Sequence, residues 1–189
     1  LEITAGNVFI IRRGRSHGYR ETSNLHLINI LFHLDALSLP KNELKKLPGY
    51  HALFKIYPEQ KRLKEKTNYL FLAPNQLAHA SALVDEINSE ISKNIAGYEF
   101  MATAHFMRLA AFLSRTYSRI FEKSEDPVYR LANAISRIER DFRQPLDLKM
   151  LCGMSSMSRS TFFRVFKRTT GLSPINYQIN LRISHASKL

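Results

Sequence analysis

The chain has no tryptophan and a single cysteine, Cys152, and its 16 acidic residues are outnumbered by 28 lysines and arginines. One cysteine excludes an internal disulfide framework and fits a reducing compartment. Long apolar runs are missing too. The longest, such as VFII and YLFLA, fall far short of the roughly 20 residues that span a bilayer, so no membrane partner is expected. No secretory signal opens the sequence, which starts at Leu1, and the expected location is cytoplasmic. The deficit of acid leaves a net charge of +12. That excess is uneven: Pro127 to Leu189 holds 11 basic residues against 3 acidic, and Leu1 to Asp126 holds 17 against 13. A third of the chain therefore carries two thirds of the excess, which points that third towards a polyanion.

What is present is enough for a core: 189 residues, 44% of them hydrophobic. Residues 1 to about 35 read as strands, because LEITAGNVFII and LHLINILFHL are rich in Val, Ile, Leu and Phe between turn signals. In the second run, alternation places His26, Ile28, Ile30 and Phe32 on one face. Residues 36–74 read as irregular, broken by Pro40, Pro48, Pro58 and Pro74.

From Asn75 the apolar period becomes helical. Leu77, Ala80, Leu83, Val84, Ile87, Ile91 and Ile95 form one stripe, with Gly97 expected to end that helix. A second helix from about Tyr98 to Phe121 carries Met101, His105, Leu109, Phe112, Leu113 and Ile120. These stripes can pack on the strands or on a second subunit. Asp126-Pro127 starts a further helix, running to about Phe142. Asp147 caps another, with Leu148, Leu151, Cys152 and Ser155 inward. Ser158 caps a basic helix that Gly171 ends, with Phe162, Val165 and Phe166 as its buried side. The last helix runs from Ile175 to Leu189. The fold class is α+β.

The basic helix carries the functional signal. With Phe162 and Phe166 packed inward, Arg159, Ser160, Phe163, Arg164 and Lys167 point outward. A major groove admits one helix, and there Arg164 can fork onto guanine O6 and N7. Phe163 can pack on a thymine methyl, and Ser160 is small enough for close approach. Arg159, Lys167 and Arg168 suit phosphate, which gives affinity without sequence information. Ser158 and Thr161 complete the candidate DNA-binding set. Double-stranded DNA is the expected partner.

The string Ser158-Arg-Ser-Thr-Phe-Phe-Arg-Val-Phe-Lys-Arg-Thr-Thr-Gly-Leu-Ser-Pro-Ile-Asn-Tyr, then Leu181-Arg182-Ile183 and Ala186, resembles the AraC/XylS family of bacterial transcription activators. The likeness covers about 146–189. It implies that Ser160, Phe163 and Arg164 face bases, that Cys152 stands where the family has a small alanine, and that Arg182 begins a linker helix. It also implies RNA polymerase as the activation target. Family members carry a second helix-turn-helix beyond the linker helix. The expectation for 146–189 is therefore the first half of a paired DNA-reading unit. Inserted alone, such a half binds weakly, so a homodimer or a second unit is needed.

Gly6-x5-Arg12-x-Gly14-x2-His17 is similar to the second cupin motif, with Arg12 in place of proline, and the segment from Leu47 to Leu72 looks like the rhamnose-responsive members. The resemblance implies a cupin-like effector-binding barrel over residues 1–74, lacking its first strands, then a helical dimerisation segment over 75–122 and the helix-turn-helix subdomain over 127–189. His17, Tyr19, His26 and Ile28 are the residues expected to meet a small-molecule effector, a sugar. No cofactor and no metal is expected.

Two readings compete with the sequence-specific regulator. A cupin-type metal-dependent sugar-modifying enzyme needs a His/Glu cluster that the visible residues lack. A helical protein–protein adaptor with an incidental basic face predicts no salt-dependent DNA binding.

Overall fold

The computed structural model describes residues 3–11, 17–20, 22–23, 25–32, 41–56 and 69–187. Arg12, Gly14, Pro40, Pro58 and the last two residues of the expected C-terminal helix lie outside them.

Helices dominate the described residues, and their one sheet is a pair of short strands, β1 (Asn7–Phe9) and β2 (Tyr69–Phe71). The pair is antiparallel, with Val8 opposite Leu70. The loop before β1 needs Gly6 at φ 96, where a Cβ would run into the Leu72 carbonyl. An α+β class is consistent with this architecture.

The run 25–32, expected as a strand, is described without strand pairing. An extended run gains ladder hydrogen bonds only where a neighbouring strand faces it, and among the described residues none faces 25–32. Residues 41–55, expected to be irregular, are mostly helical instead. α1 (Lys41–Lys45) leads through Leu47 to α2 (Pro48–Tyr50), which continues as a π turn, His51–Lys55. Pro48 opens α2 rather than breaking it, because its missing N–H has no partner in a first turn anyway.

α3 (Pro74–Lys93) and α4 (Tyr98–Phe121) form an antiparallel hairpin. Gln76 accepts from the Ala73 N–H at 2.9 Å and closes the start of α3. The helix ends at Asn94 in the left-handed conformation, not at Gly97; Gly97, at φ 93, heads α4. Asn tolerates that conformation, so the reversal begins three residues before the glycine. The inner parts of both stripes meet as expected, with Leu83, Ile87, Leu109 and Leu113 buried. Ile91 and Ile95 near the tip are 54% and 64% exposed, and Met101 and Ile120 are also exposed.

α5 (Pro127–Asp141) starts on Asp126, whose carboxylate accepts from the Tyr129 N–H at 2.8 Å. Its apolar residues bury against α2, the π turn and the next helix, α6 (Leu148–Ser155). The segment 48–56 is thus wedged between α4 on one side and α5 on the other. Gly49 donates its N–H to the Ser118 hydroxyl of α4 at 3.0 Å. His51 is buried and bonds through Nε2 to the Lys45 carbonyl at 2.7 Å. Burial, aided by the cations Lys45 and Lys55 and only partly offset by the hydrogen bond to the Lys45 carbonyl, pulls the imidazole pKa down to about 4 from its ordinary 6.5.

Candidate nucleic-acid interface

α6 begins on Asp147, which accepts from the Met150 N–H at 2.9 Å. Leu151 and Ser155 are buried as expected, whereas Leu148 and Cys152 are only half-buried. The helix stops at Ser156, which adopts φ 52. A non-glycine residue there is unusual, and Arg130 of α5 reaches across to hold the Ser156 hydroxyl at 2.5 Å. Arg130 also pairs with Glu125 at 3.2 Å. This turn sets the angle between α6 and the basic helix α7 (Arg159–Thr170).

α7 is capped at both ends by the residues read from sequence. The Ser158 hydroxyl accepts from the Thr161 N–H at 3.3 Å and donates to Thr161 Oγ1 at 2.9 Å. Gly171, at φ 83, closes the helix with its N–H on the Lys167 carbonyl at 2.8 Å. Phe162 and Phe166 are fully buried, their ring centroids 5.5 Å apart, and Val165 is half-buried rather than buried.

The outer face holds Arg159, Ser160, Arg164, Lys167 and Arg168, all exposed. Ser160, Arg164 and Lys167 lie one and two turns apart along one stripe. Phe163 is half-buried: its ring meets Phe162 edge-on, and the Arg159 guanidinium stands 5.8 Å from its centre. Arg159, Ser160 and Phe163 line an open, shallow cleft. Among the described residues Arg159, Arg164 and Lys167 form no ion pair, so their charge is available to an incoming anion. All eight sequence-predicted DNA-binding residues therefore gather on one helix and its cap.

α8 (Pro174–Ala186) follows, capped by Ser173, which accepts from the Asn176 N–H at 3.2 Å. Three contacts lock it to α5 and the turn that follows it. Tyr177 donates its hydroxyl to the Glu139 carboxylate. Gln178 donates to the Gln144 carbonyl at 2.7 Å. Arg182 caps the end of α5 through the carbonyls of Phe142 and Gln144, at 2.7 and 2.8 Å. Burial raises the pKa of both Glu139 and Tyr177; their mutual charge raises the phenol further, and the hydrogen bond partly offsets the shift of the acid. Sequence reasoning missed the roles of Glu139 and Arg130. An acid and an arginine on α5 look like ordinary surface charges until the helices around them are in place.

The expected effector residues are not assembled. His17, Tyr19, His26 and Ile28 are exposed, and of these only His17 and Tyr19 form a ring pair, at 6.2 Å. No group of three or more His, Cys, Asp or Glu among the described residues could hold a metal ion. No helix among them is long and apolar enough to cross a membrane.

A capped basic helix set on two apolar neighbours defines a helix-turn-helix unit. Residues 138–178 match the family of bacterial regulatory helix-turn-helix proteins, AraC family, and the unit is of that type. Over nearly its whole length the chain is also similar to transcriptional activators. It is 25% identical over 187 residues to the HTH-type transcriptional activator RhaR of Mannheimia succiniciproducens, covering 99% of this chain and 62% of that protein. It is 24% identical over 190 residues to the activators of the same name from Escherichia coli strains K12 and HS, covering 99% of this chain and 63% of theirs. The chain thus spans a little under two thirds of the length of these relatives. No solved structure matches it.

Proposed function

We propose that the chain is part of a sequence-specific, sugar-responsive transcription regulator that reads the major groove with α7. The observation that carries this reading is the outer face of α7 within the matched unit: unpaired Arg159, Arg164 and Lys167 around Ser160 and Phe163, on a helix held rigid by Phe162 and Phe166. Arg164 and Phe163 read bases, Ser160 permits close approach, and Arg159, Lys167 and Arg168 meet phosphates together with the Ser158–Thr161 cap. As a regulator the protein acts in the cytoplasm, with RNA polymerase as its target, and it is not an enzyme. The activator names of the relatives support the regulatory role.

Residues 1–74 belong, in this reading, to a cupin-like effector domain, with His17, Tyr19, His26 and Ile28 facing a rhamnose-like sugar. The cupin-like spacing from Gly6 to His17 supports that assignment. The hairpin over 75–122 makes a homodimer, for which the exposed Ile91, Ile95, Phe100 and Met101 supply apolar surface. A dimer doubles the insertion sites and restores the affinity that one helix lacks. Helix-turn-helix subdomain 127–189 supplies the base reading.

Fluorescence anisotropy of labelled duplexes at several salt concentrations tests the DNA reading. Binding is expected to weaken steeply as salt rises. Salt-independent binding, or none, would favour the adaptor. A thermal shift with L-rhamnose that disappears in His26→Ala tests the effector assignment; an unchanged shift removes His26 from the site.

A further inference from the structure

The run Leu25–Phe32, which holds the proposed effector residues His26 and Ile28, touches the helical core at its end. Leu31 is 96% exposed, whereas Phe32 packs against Phe106 of α4 at 4.5 Å and Phe54 of the π turn at 6.5 Å. Phe54 stacks on Tyr50 at 5.4 Å, and Tyr50 is fully buried. Tyr50 lies on α2, which packs on α5. Tyr177 meets Phe166 edge-on at 5.5 Å, and Phe166 meets Phe162 at 5.5 Å. One set of rings therefore runs from a half-open surface position to α2 and a second forms the floor of α7, with α5 between them, packed on α2 and bonded to Tyr177 through Glu139.

We propose that Phe32, Phe54 and Tyr50 are positioning residues through which the segment 25–32 sets the placement of α7. Packed rings do not deform gradually; they move between discrete arrangements. The π turn supplies an element that can do so. Its closing bond, from the Ile56 N–H to the His51 carbonyl at 2.7 Å, spans five residues, and π turns of this kind sit where a helix changes hydrogen-bond register. A return to α register would swing Phe54 off Phe32 and shift the footing of α5, which packs on the π turn. α5 carries Glu139, the acceptor for Tyr177, and Arg130, the clasp on Ser156, so both anchors of the reading unit follow it. The segment that meets effector and the helix that meets DNA would then bias one element from opposite sides, which is the condition for coupling between sites.

The inference rests on the DNA-reading assignment only for what is positioned, and its test needs no DNA. Hydrogen–deuterium exchange on the full chain is read by mass spectrometry over 159–170 and 174–186, with 74–84 as the internal control. Phe32→Ala is expected to speed exchange over α7 and α8 by about threefold to tenfold and to leave 74–84 unchanged. Phe32→Tyr, which keeps the ring, is expected to restore both. Phe54→Leu is expected to give a similar change, and the double variant less than the product of the two. Unchanged rates over 159–186, equal acceleration over 74–84, no rescue by Phe32→Tyr, or full multiplicativity each overturn the proposal. Failure of the unaltered chain to bind any duplex overturns the function instead and leaves the exchange result standing.

Discussion

Gly49 lies so close to Ser114 that a Cβ at position 49 would collide with the Ser114 carbonyl oxygen. The contact joins α2 to α4 backbone to backbone, and neither side is a flexible side chain that could move away.

Gly49→Ala is therefore expected to destabilise the protein by about 2 kcal/mol or more, because helix backbone must shift to make room. Gly153 in α6 has open space around its Cβ position and a negative φ. Gly153→Ala is expected to stabilise by about 0.5–1 kcal/mol through helix propensity alone. Urea denaturation of both variants checks the pair. Equal effects would mean that the α2–α4 approach is not tight in solution.

His51 makes stability depend on pH in a defined window. Its folded pKa, about 4, lies below the 6.5 of the unfolded chain, so the unfolded state takes up its proton first as pH falls. Stability from this site is fully present above 6.5 and is lost as pH drops towards 4, by roughly 3 kcal/mol in all. His51→Asn is expected to flatten that part of the curve. Melting temperatures between pH 7 and pH 4 measure it, and an unchanged slope would exclude His51 as its source.

Removal of the Tyr177 hydroxyl leaves a buried acid without its donor. Tyr177→Phe is expected to cost about 1–3 kcal/mol and to raise the Glu139 pKa further. Folding raises that pKa, so ionisation of Glu139 opposes the fold, and the cost of the variant is expected to grow as pH rises through the carboxylate range. Glu139→Gln in the same background is expected to remove that pH dependence. Thermal melts of the single and double variants at pH 4 and pH 7 separate these outcomes.

On DNA, Arg164 and Lys167 are expected to differ in kind. Arg164→Ala is expected to cost about 1–3 kcal/mol on a cognate site and to relax one base position. Lys167→Ala is expected to weaken all sequences alike and to flatten the salt slope by about one unit. Competition with scrambled duplexes distinguishes the two. Identical behaviour would remove Arg164 from base reading.

The DNA-reading unit was legible in the sequence because its signals are local. Ser158, Gly171, Asp147 and Ser173-Pro174 act within one helical turn, and the four-residue spacing of Phe162 and Phe166 sets the buried face without reference to other elements. The hairpin α3–α4 was legible in its stripes but not in its ends: Asn94 and Gly97 are both able to close a helix, and the packing of α3 against α4 determines where the reversal begins. The N-terminal third was least legible. Apolar alternation in 25–32 is compatible with a strand, yet a strand exists only where another faces it.

Sequence by itself determined the starting caps of α5 to α8, the glycine that ends α7 and the basic face of α7, since capping, periodicity and charge are properties of neighbours along the chain. Only the tertiary structure decided that 48–55 is helical and wedged between α4 and α5, that Arg130 holds the turn at Ser156, and that Glu139 is a buried partner of Tyr177. Those depend on residues 26 to 69 positions apart, whose meeting is set by which faces pack and not by any local preference.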